Sequence, residues 1–181
     1  MTGPRGDSGQ ELAALVASRV VDVPGFPHAG IVFKDLSPLF ADAAAFRRVV
    51  DAIVHAHDGF DVVVGIEARG FVLAAAVAYA SGVGVVPVRK AGKLPRATHT
   101  ASYALEYGEA TLEVHRDAFE PGQRVLVVDD VLATGGTSQA TLHLVEQARG
   151  TVLGLTVVVE LSFLGGRARV GGYPLHALLI V

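Results

Sequence analysis

The stretch Val125–Ser138, VLVVDDVLATGGTS, decides the fold class of this chain. An apolar run leads into two adjacent acids, Asp129 and Asp130, and a loop with two glycines follows. The run predicts a buried strand that ends in the acids, and the loop predicts a turn into a helix capped by Thr137 or Ser138. Ligands of open α/β sheets bind where such strands end, and free N–H groups at a glycine-rich turn cradle phosphate. The stretch therefore predicts a phosphate site beside two carboxylates.

Three further apolar runs, at residues 61–66, 83–88 and 151–159, indicate central strands of a parallel sheet because they are apolar on both faces. Helical stretches near residues 70–80 and 137–149 separate the runs. This alternation predicts an α/β fold with a doubly wound, mainly parallel central sheet and helices on both faces.

Two segments depart from this alternation. Apolar residues at helical spacing from Leu12 to Val20 predict a first helix, an irregular segment then runs to Pro38, and a second helix follows Asp42 as its N-cap. Residues 90–116 are polar, and their alternating pattern predicts a two-stranded hairpin rather than core. A polar excursion between core strands is typical of a lid or binding loop.

The composition excludes several classes of protein. The 181 residues hold 15 Lys and Arg against 18 Asp and Glu, a net charge of −3, so we expect neither a nucleic-acid partner nor an anionic membrane surface. Cysteine is absent, which excludes disulfides, thiol nucleophiles and zinc sites of the cysteine type. The uncharged run between Arg69 and Arg89 is broken by Gly82, Gly84 and Pro87, so we expect no membrane span. The first ten residues lack the apolar stretch of a signal peptide, and we expect a cytoplasmic protein.

Phosphate alone does not explain Asp129 and Asp130, because carboxylates repel phosphate. They are explained if the phosphate is carried on a sugar whose hydroxyls donate to them. The strand, the acids and the TGGT loop together resemble the phosphoribosyl-diphosphate signature of type I phosphoribosyltransferases. The resemblance implies that the two acids hold the ribose 2′ and 3′ hydroxyls and that the 5′-phosphate is bound by Ala133, Thr134, Gly135, Gly136 and Thr137. The alternative is an ordinary strand, turn and helix in which an Asp caps the helix.

Three further stretches resemble adenine phosphoribosyltransferases and occur in that family's order: FPHAGIVFKD at residues 26–35, GIEARGF at 65–71, and RKAGKLP at 89–95 followed by ASYALEYG at 101–108. The resemblance implies transfer of the 5-phosphoribosyl group from 5-phosphoribosyl 1-diphosphate to N9 of adenine, which gives AMP and diphosphate. It also implies a single domain over residues 1–181, with a base-binding hood at about residues 1–40 and a mobile lid at about residues 90–116.

The same resemblance assigns roles to individual residues. In the hood, Phe33 stacks on the purine while backbone groups of Val32 and Lys34 read the edge of the base. The catalytic residues are Glu106, which handles a proton of the purine, and Arg69. The diphosphate is bound by Glu67, Ala68, Arg69, Gly70, Arg89 and Lys93, with a cis peptide bond at Glu67–Ala68. Mg²⁺ is expected as cofactor, held mainly by substrate and water with no protein residue as a dedicated ligand, and a homodimer is expected.

Each of these interpretations has an alternative. Arg69 is otherwise a solvated charge at a helix start, Phe33 a core residue, and Glu106 a solvent-facing residue on a polar strand. The whole protein is otherwise a phosphoribosyltransferase for another purine base, or a non-catalytic nucleotide-sensing regulator on the same fold. A regulator of that kind is expected to carry a DNA-binding extension or a basic face, and the sequence favours the enzyme.

Overall fold

The computed structural model describes residues 9–104 and 109–181, and in these residues the main feature is a seven-stranded sheet. Its strands are β3 (Val62–Ile66), β4 (Gly84–Lys90), β5 (Thr98–Ala104), β6 (Glu109–His115), β7 (Arg124–Leu132), β8 (Thr151–Glu160) and β9 (Leu175–Ile180). They are arranged in the order β5-β6-β4-β3-β7-β8-β9, and all neighbours from β4 to β9 in this order are parallel. The predicted mainly parallel α/β sheet is confirmed.

Helices cover both faces of this sheet, as predicted. They are α1 (Gly9–Ala17), α2 (Ser37–Ala41), α3 (Ala43–Ala56), α4 (Arg69–Ser81), α5 (Gly136–Gln147) and α6 (Gly166–Arg169). Alternate residues of β7 point to opposite faces, so Leu126 packs in one core with α1, α3 and α4, while Val127 packs in the other with α5. The predicted N-cap of α3 is confirmed, because Asp42 Oδ1 accepts from the backbone N–H groups of Ala44 and Ala45 at 3.1 and 3.0 Å.

The segment before Pro38 differs from the irregular chain that the sequence predicted. Strands β1 (Val21–Pro24) and β2 (Val32–Asp35) form a separate antiparallel pair, in which Val23 lies opposite Phe33. Each strand has only four residues and β1 ends in a proline, so neither shows the longer alternation that predicts a strand. This two-stranded sheet lies within the segment predicted as the hood, together with α1.

The predicted hairpin is formed by β5 and β6, but the expectation that it lies outside the core is wrong. Strand β6 pairs with β4 through Arg89 opposite Glu113 and Lys90 opposite Leu112, which joins the hairpin to the central sheet. Leu112 and Val114 are consequently buried in the core. Residues 105–108, between the two strands, lie outside the described residues.

Strand β4 is less buried than its apolar run predicted. Its first half pairs on one side with β3, whereas β6 reaches only Arg89 and Lys90, so Val85 stays exposed. On α4, two further large apolar side chains are exposed, Val72 and Tyr79, the latter to 91 %. Among the described residues, no helix is long and apolar enough to cross a membrane.

Candidate active site

The glycine loop after β7 leads directly into α5. Strand β7 continues through both acids to Leu132, and α5 begins at Gly136 with Gly135 as its N-cap at φ +81°. No side chain caps this helix, so the predicted capping by Thr137 or Ser138 is wrong. The N–H groups of the first turn are therefore left for another acceptor, which is the usual arrangement of an anion site at a helix start.

The two acids are buried at the carboxyl end of β7. Asp129 is 9 % and Asp130 6 % exposed, and the Asp130 N–H donates to Asp129 Oδ1 at 2.9 Å. Burial, together with the charge of Asp130, raises the pKa of Asp129 well above its usual range. Asp130 Oδ2 is buried and accepts no well-aligned hydrogen bond from the described residues, although the Arg69 guanidinium lies close to it. A buried oxygen in that state is an acceptor suited to a ligand hydroxyl.

Arg69, the first residue of α4, connects these acids to the hood. Its Nε lies 2.7 Å from Asp130 Oδ2, an ion pair, and its Nη1 donates to the backbone oxygen of Lys34 at 3.1 Å. Its guanidinium carbon lies 4.7 Å from the centre of the Phe33 ring, a cation–π contact. Arg69 is thus held by three partners from two different parts of the chain, and its interpretation as a solvated helix-start charge is wrong.

The loop before α4 brings the predicted diphosphate residues together. The peptide bond Glu67–Ala68 is cis, as the resemblance implied. Glu67 Oε2 accepts from Arg89 Nε at 3.2 Å and from the Lys90 N–H at 3.0 Å. Arg89 Nη1 in turn donates to the backbone oxygen of Lys93 at 3.2 Å. Hydrogen bonds therefore connect the side chains of Glu67 and Arg89 with backbone groups of Lys90 and Lys93, at the neighbouring ends of β3 and β4.

Gly70 lies where α4 approaches the acids. A Cβ at this position would lie 2.9 Å from Asp129 Oδ1 and 3.0 Å from the backbone oxygen of Val128. Only glycine permits that approach, so the diphosphate loop and the carboxyl end of β7 are in direct contact.

The predicted base-binding residues lie on β2. The Phe33 ring is half-buried, belongs to neither hydrophobic core, and meets Phe26 edge-to-face at 5.1 Å. Lys34 Nζ is paired with Asp22 Oδ1 of β1 at 2.7 Å, while its backbone oxygen accepts from Arg69. Val32 is exposed. Phe33 is therefore not part of either core, and its stacking on a purine stays a prediction.

Sequence reasoning missed the segment that follows β8. Gly166 packs against the glycine loop so closely that a Cβ there would overlap the backbone oxygen of Ala133 and lie 3.1 Å from the Gly135 nitrogen. Arg169 lies beside the same loop and donates from Nε to Gln139 Oε1 at 3.1 Å. The sequence signal for this packing is the glycine pair, Gly165 and Gly166, a few residues after the buried strand β8.

Comparisons with known proteins agree with this geometry. A model of the phosphoribosyl transferase domain family matches residues 38–168. An adenine phosphoribosyltransferase of Salinispora tropica is 72 % identical over 182 residues, which cover 99 % of this chain and 97 % of the relative. This chain belongs to the adenine phosphoribosyltransferase family.

Solved structures of the family have the same fold. A crystal structure of adenine phosphoribosyltransferase from Thermoanaerobacter pseudethanolicus is 44 % identical with a TM-score of 0.90, and the match covers 93 % of this chain and 99 % of that one. The Saccharomyces cerevisiae enzyme, complexed with an imino-altritol bisphosphate and adenine, is 39 % identical with a TM-score of 0.89, and the match covers 94 % of this chain and 99 % of that one. The predicted family and fold class are confirmed.

The remaining predicted site residue, Glu106, lies outside the described residues, which end at 104 on one side of it and resume at 109. On the strand before it, Tyr103 lies close to Gly136 of the loop–α5 junction, since a Cβ on Gly136 would lie 2.9 Å from Tyr103 Cδ2. Strand β5 of the lid therefore packs beside the start of α5.

Proposed function

We propose that the protein transfers the 5-phosphoribosyl group from 5-phosphoribosyl 1-diphosphate to N9 of adenine, producing AMP and diphosphate for purine salvage. The observation that carries this proposal is the chain of contacts from the buried acids through Arg69 to Phe33, which joins a sugar-phosphate site to a base site. We also propose that residues 1–181 act as one domain, with the hood and the lid on either side of the reaction centre.

The sugar phosphate is held by the carboxyl end of β7 and the start of α5. Asp129 and Asp130 accept hydrogen bonds from the ribose 2′ and 3′ hydroxyls, which adds a well-aligned donor to buried Asp130 Oδ2 beside its ion pair with Arg69. The 5′-phosphate lies on the backbone N–H groups of the loop and of the uncapped first turn of α5, at Ala133, Thr134, Gly135, Gly136 and Thr137. The guanidinium of Arg69 offsets the negative charge of the paired acids.

The reaction breaks the bond between ribose C1 and the diphosphate oxygen, and the electron pair of this bond leaves with the diphosphate. N9 of adenine bonds to C1, and the N9 proton is lost. Charge develops on the diphosphate and on an oxocarbenium-like C1, so catalysis is mainly positioning and charge stabilisation. Arg69, Arg89 and Lys93 supply positive charge at the diphosphate, and Glu106 takes the proton.

Mg²⁺ fits this site through the substrate. The described residues contain no group of three His, Asp or Glu that could hold a metal ion, whereas the buried pair Asp129 and Asp130 supplies carboxylates beside the proposed ribose and diphosphate oxygens. Mg²⁺ is commonly held by one or two carboxylates, water and substrate phosphates. We propose that the ion is held mainly by substrate and water and neutralises charge on the diphosphate.

The base is read by backbone groups beside Phe33. The Lys34 side chain is engaged with Asp22, so it is its backbone oxygen, held by Arg69, that is available to accept from the adenine amino group. A carbonyl oxygen has two lone pairs and serves both donors. A 6-oxo purine presents an acceptor in place of that amino group, which leaves buried polar groups unpaired.

A site that reads a base through hydrogen bonds can discriminate between two bases by around 10⁴ in kcat/KM. Lys34→Ala should leave the ratio of kcat/KM for adenine to that for hypoxanthine within about 3-fold of the wild-type ratio, because the Lys34 side chain does not read the base. Phe33→Ala is the matched variant, expected to raise the KM for adenine through lost stacking while it retains the ratio. The measurement is kcat/KM for both bases in all three proteins. A collapse of the ratio in Lys34→Ala would assign base reading to the side chain.

Gly166→Ala should raise the KM for 5-phosphoribosyl 1-diphosphate by about 10–100-fold, because a misplaced binding loop is costly. The added methyl group overlaps the Ala133 oxygen and forces the phosphate loop to move. Gly84→Ala is the control, since its Cβ meets only Val62 Cγ2 at 3.8 Å. Equal kinetics of the two variants would contradict a role for Gly166 packing in phosphate binding.

We further propose a cytoplasmic homodimer whose interface includes the exposed apolar face of α4 and β4. Val72, Tyr79 and Val85 form this face, and α4 begins at the diphosphate loop. Large apolar side chains exposed together in this way are typical of an association surface.

One assay tests the proposed reaction. The purified protein is incubated with Mg²⁺, 5-phosphoribosyl 1-diphosphate and each purine base in turn, and the nucleotide formed is identified. AMP from adenine, with little or no nucleotide from hypoxanthine or guanine, is the expected result. A nucleotide formed preferentially from another base would reassign the substrate, and the absence of any nucleotide would favour a sensing role.

A further inference from the structure

A buried acid that has no part in the proposed chemistry lies within the lid hairpin. Glu113, in the middle of β6, is 4 % exposed. Its Oε1 accepts from the backbone N–H groups of Lys93 and Leu94, each at 2.7 Å, and Thr98 Oγ1 donates to its Oε2 at 3.3 Å. Burial acts to raise the pKa of Glu113, but the N–H groups of the lid loop at residues 92–94 outweigh it and lower the pKa. The carboxylate is thus engaged by the loop through Oε1 and by Thr98 of β5 through Oε2.

The peptide group between Lys93 and Leu94 is held at both ends. Its N–H, on Leu94, donates to Glu113 Oε1. Its oxygen, on Lys93, accepts from Arg89 Nη1 at 3.2 Å. Arg89 lies directly opposite Glu113 in the pairing of β4 with β6, and residues opposite one another in antiparallel strands share a face of the sheet. An anion and a cation on one face therefore hold one lid peptide between them.

The contacts continue from this peptide to the diphosphate loop. Arg89 Nε donates to Glu67 Oε2, the residue before the cis peptide bond. A connected path consequently runs from Glu113 through the Lys93 backbone and Arg89 to Glu67. Two of its members, Arg89 and Lys93, are the cations assigned above to the leaving diphosphate.

We propose that Glu113 is a positioning residue that fixes the lid loop so that Lys93 and Arg89 face the diphosphate of the substrate. This inference rests on the proposed function. Glu113 touches neither substrate nor reacting atoms, and it acts through the Lys93 backbone and the arginine opposite it. The base site, on the hood, lies outside this path, so the effect is specific to diphosphate.

The test compares Glu113→Ala, Glu113→Gln and the control Thr111→Val, whose hydroxyl is hydrogen-bonded to Ser102 Oγ at 2.8 Å in the same hairpin. Glu113→Ala removes both acceptors, and we expect the KM for 5-phosphoribosyl 1-diphosphate and the inhibition constant of diphosphate to rise about 10–100-fold, since small misplacements cost that much. Glu113→Gln retains one oxygen for the two N–H groups but loses the charge, and we expect the same two constants to rise about 3–10-fold.

The KM for adenine should stay within about 2-fold of the wild-type value in all variants. Every constant of Thr111→Val should do the same, because surface changes away from the site have small effects.

A second measurement separates positioning from general stability. If Glu113 acts through Lys93 and Arg89, adding Glu113→Ala to an enzyme that already carries Lys93→Ala and Arg89→Ala should change the KM for 5-phosphoribosyl 1-diphosphate by less than about 3-fold, because coupled residues are not additive. Full additivity, an equal rise of both substrate KM values, or no change in either Glu113 variant would overturn the proposal. Should Glu113→Ala not fold, Glu113→Gln decides by the same comparison of the two KM values. A wild-type protein that forms no AMP would instead contradict the proposed function itself.

Discussion

Glu106→Gln should lower kcat by about 10²–10⁴-fold, the range that a positioned acid or base contributes. Glutamine keeps the size and hydrogen bonding of the side chain but has no basic carboxylate to take the N9 proton. In the sequence Glu106 lies three positions before β6, and β5, the strand before it, packs beside the start of α5 through Tyr103 and Gly136.

The measurement is steady-state kcat with adenine, together with a thermal melt to establish that the variant folds. Glu109→Gln is the matched control, because Glu109 is an exposed glutamate of the same hairpin. We expect the control to retain wild-type kcat. A Glu106→Gln enzyme within a few-fold of wild type would assign Glu106 to a solvent-facing role.

The parts of the fold that the sequence predicted are those whose signals are local. Within fourteen residues the chain contains the buried strand of Val125–Val128, the acids after it and the glycine pair. The hydrophobic pattern that predicts the strand and the glycines that predict the turn therefore occur in one short segment. The N-cap at Asp42 is local in the same way. The cap predicted at Thr137 or Ser138 was wrong because the N-cap is Gly135, which has no side chain to accept from the first N–H groups of α5. Residue type alone does not reveal this.

The features that sequence reasoning missed depend on contacts between distant residues. Leu112 and Val114 alternate with polar neighbours, as in an exposed hairpin, and they become core only because β6 pairs with β4 more than twenty positions earlier in the chain. Glu113 has the pattern of a solvated charge, and its burial is explained by the N–H groups of the loop at residues 92–94. A residue's type and neighbours in sequence do not disclose such partners.

The candidate site divides along the same line. Arg69 and Phe33 are picked out by motifs, but no sequence pattern shows that one stacks on the other or that Arg69 also pairs with Asp130. Gly166 carries no chemical group at all, and its importance lies in the space that it leaves for the Ala133 oxygen. A residue's role can be predicted from sequence when it follows from the chemical type of the side chain. When it follows from how closely two distant parts of the chain approach each other, it requires the three-dimensional structure.

Arg69→Gln should lower kcat/KM by about 10²–10³-fold for both substrates, because a lost charge-assisted interaction in a partly closed site costs several kcal/mol. Without the guanidinium, the buried Asp130 loses its ion-pair partner beside a second buried carboxylate. The Lys34 oxygen and the Phe33 ring lose their contact at the same time. Since Arg69 touches both the sugar side and the base side, the KM for adenine should rise together with that for 5-phosphoribosyl 1-diphosphate, in contrast to the Glu113 variants.

Arg124→Gln is the control, because it removes an arginine that pairs with Asp61 at 2.8 Å at the opposite end of β7, and we expect its activity to be unchanged. The pH profile adds a second readout. The charge of Arg69 lowers the pKa of Asp129, although burial and Asp130 hold that pKa well above its usual range. Removing Arg69 raises the pKa further, so the acid limb of kcat/KM should move to higher pH as the ionised carboxylate becomes harder to form. An Arg69→Gln enzyme with a wild-type acid limb and kinetic constants near those of Arg124→Gln would mean that Arg69 has no electrostatic role at the acids.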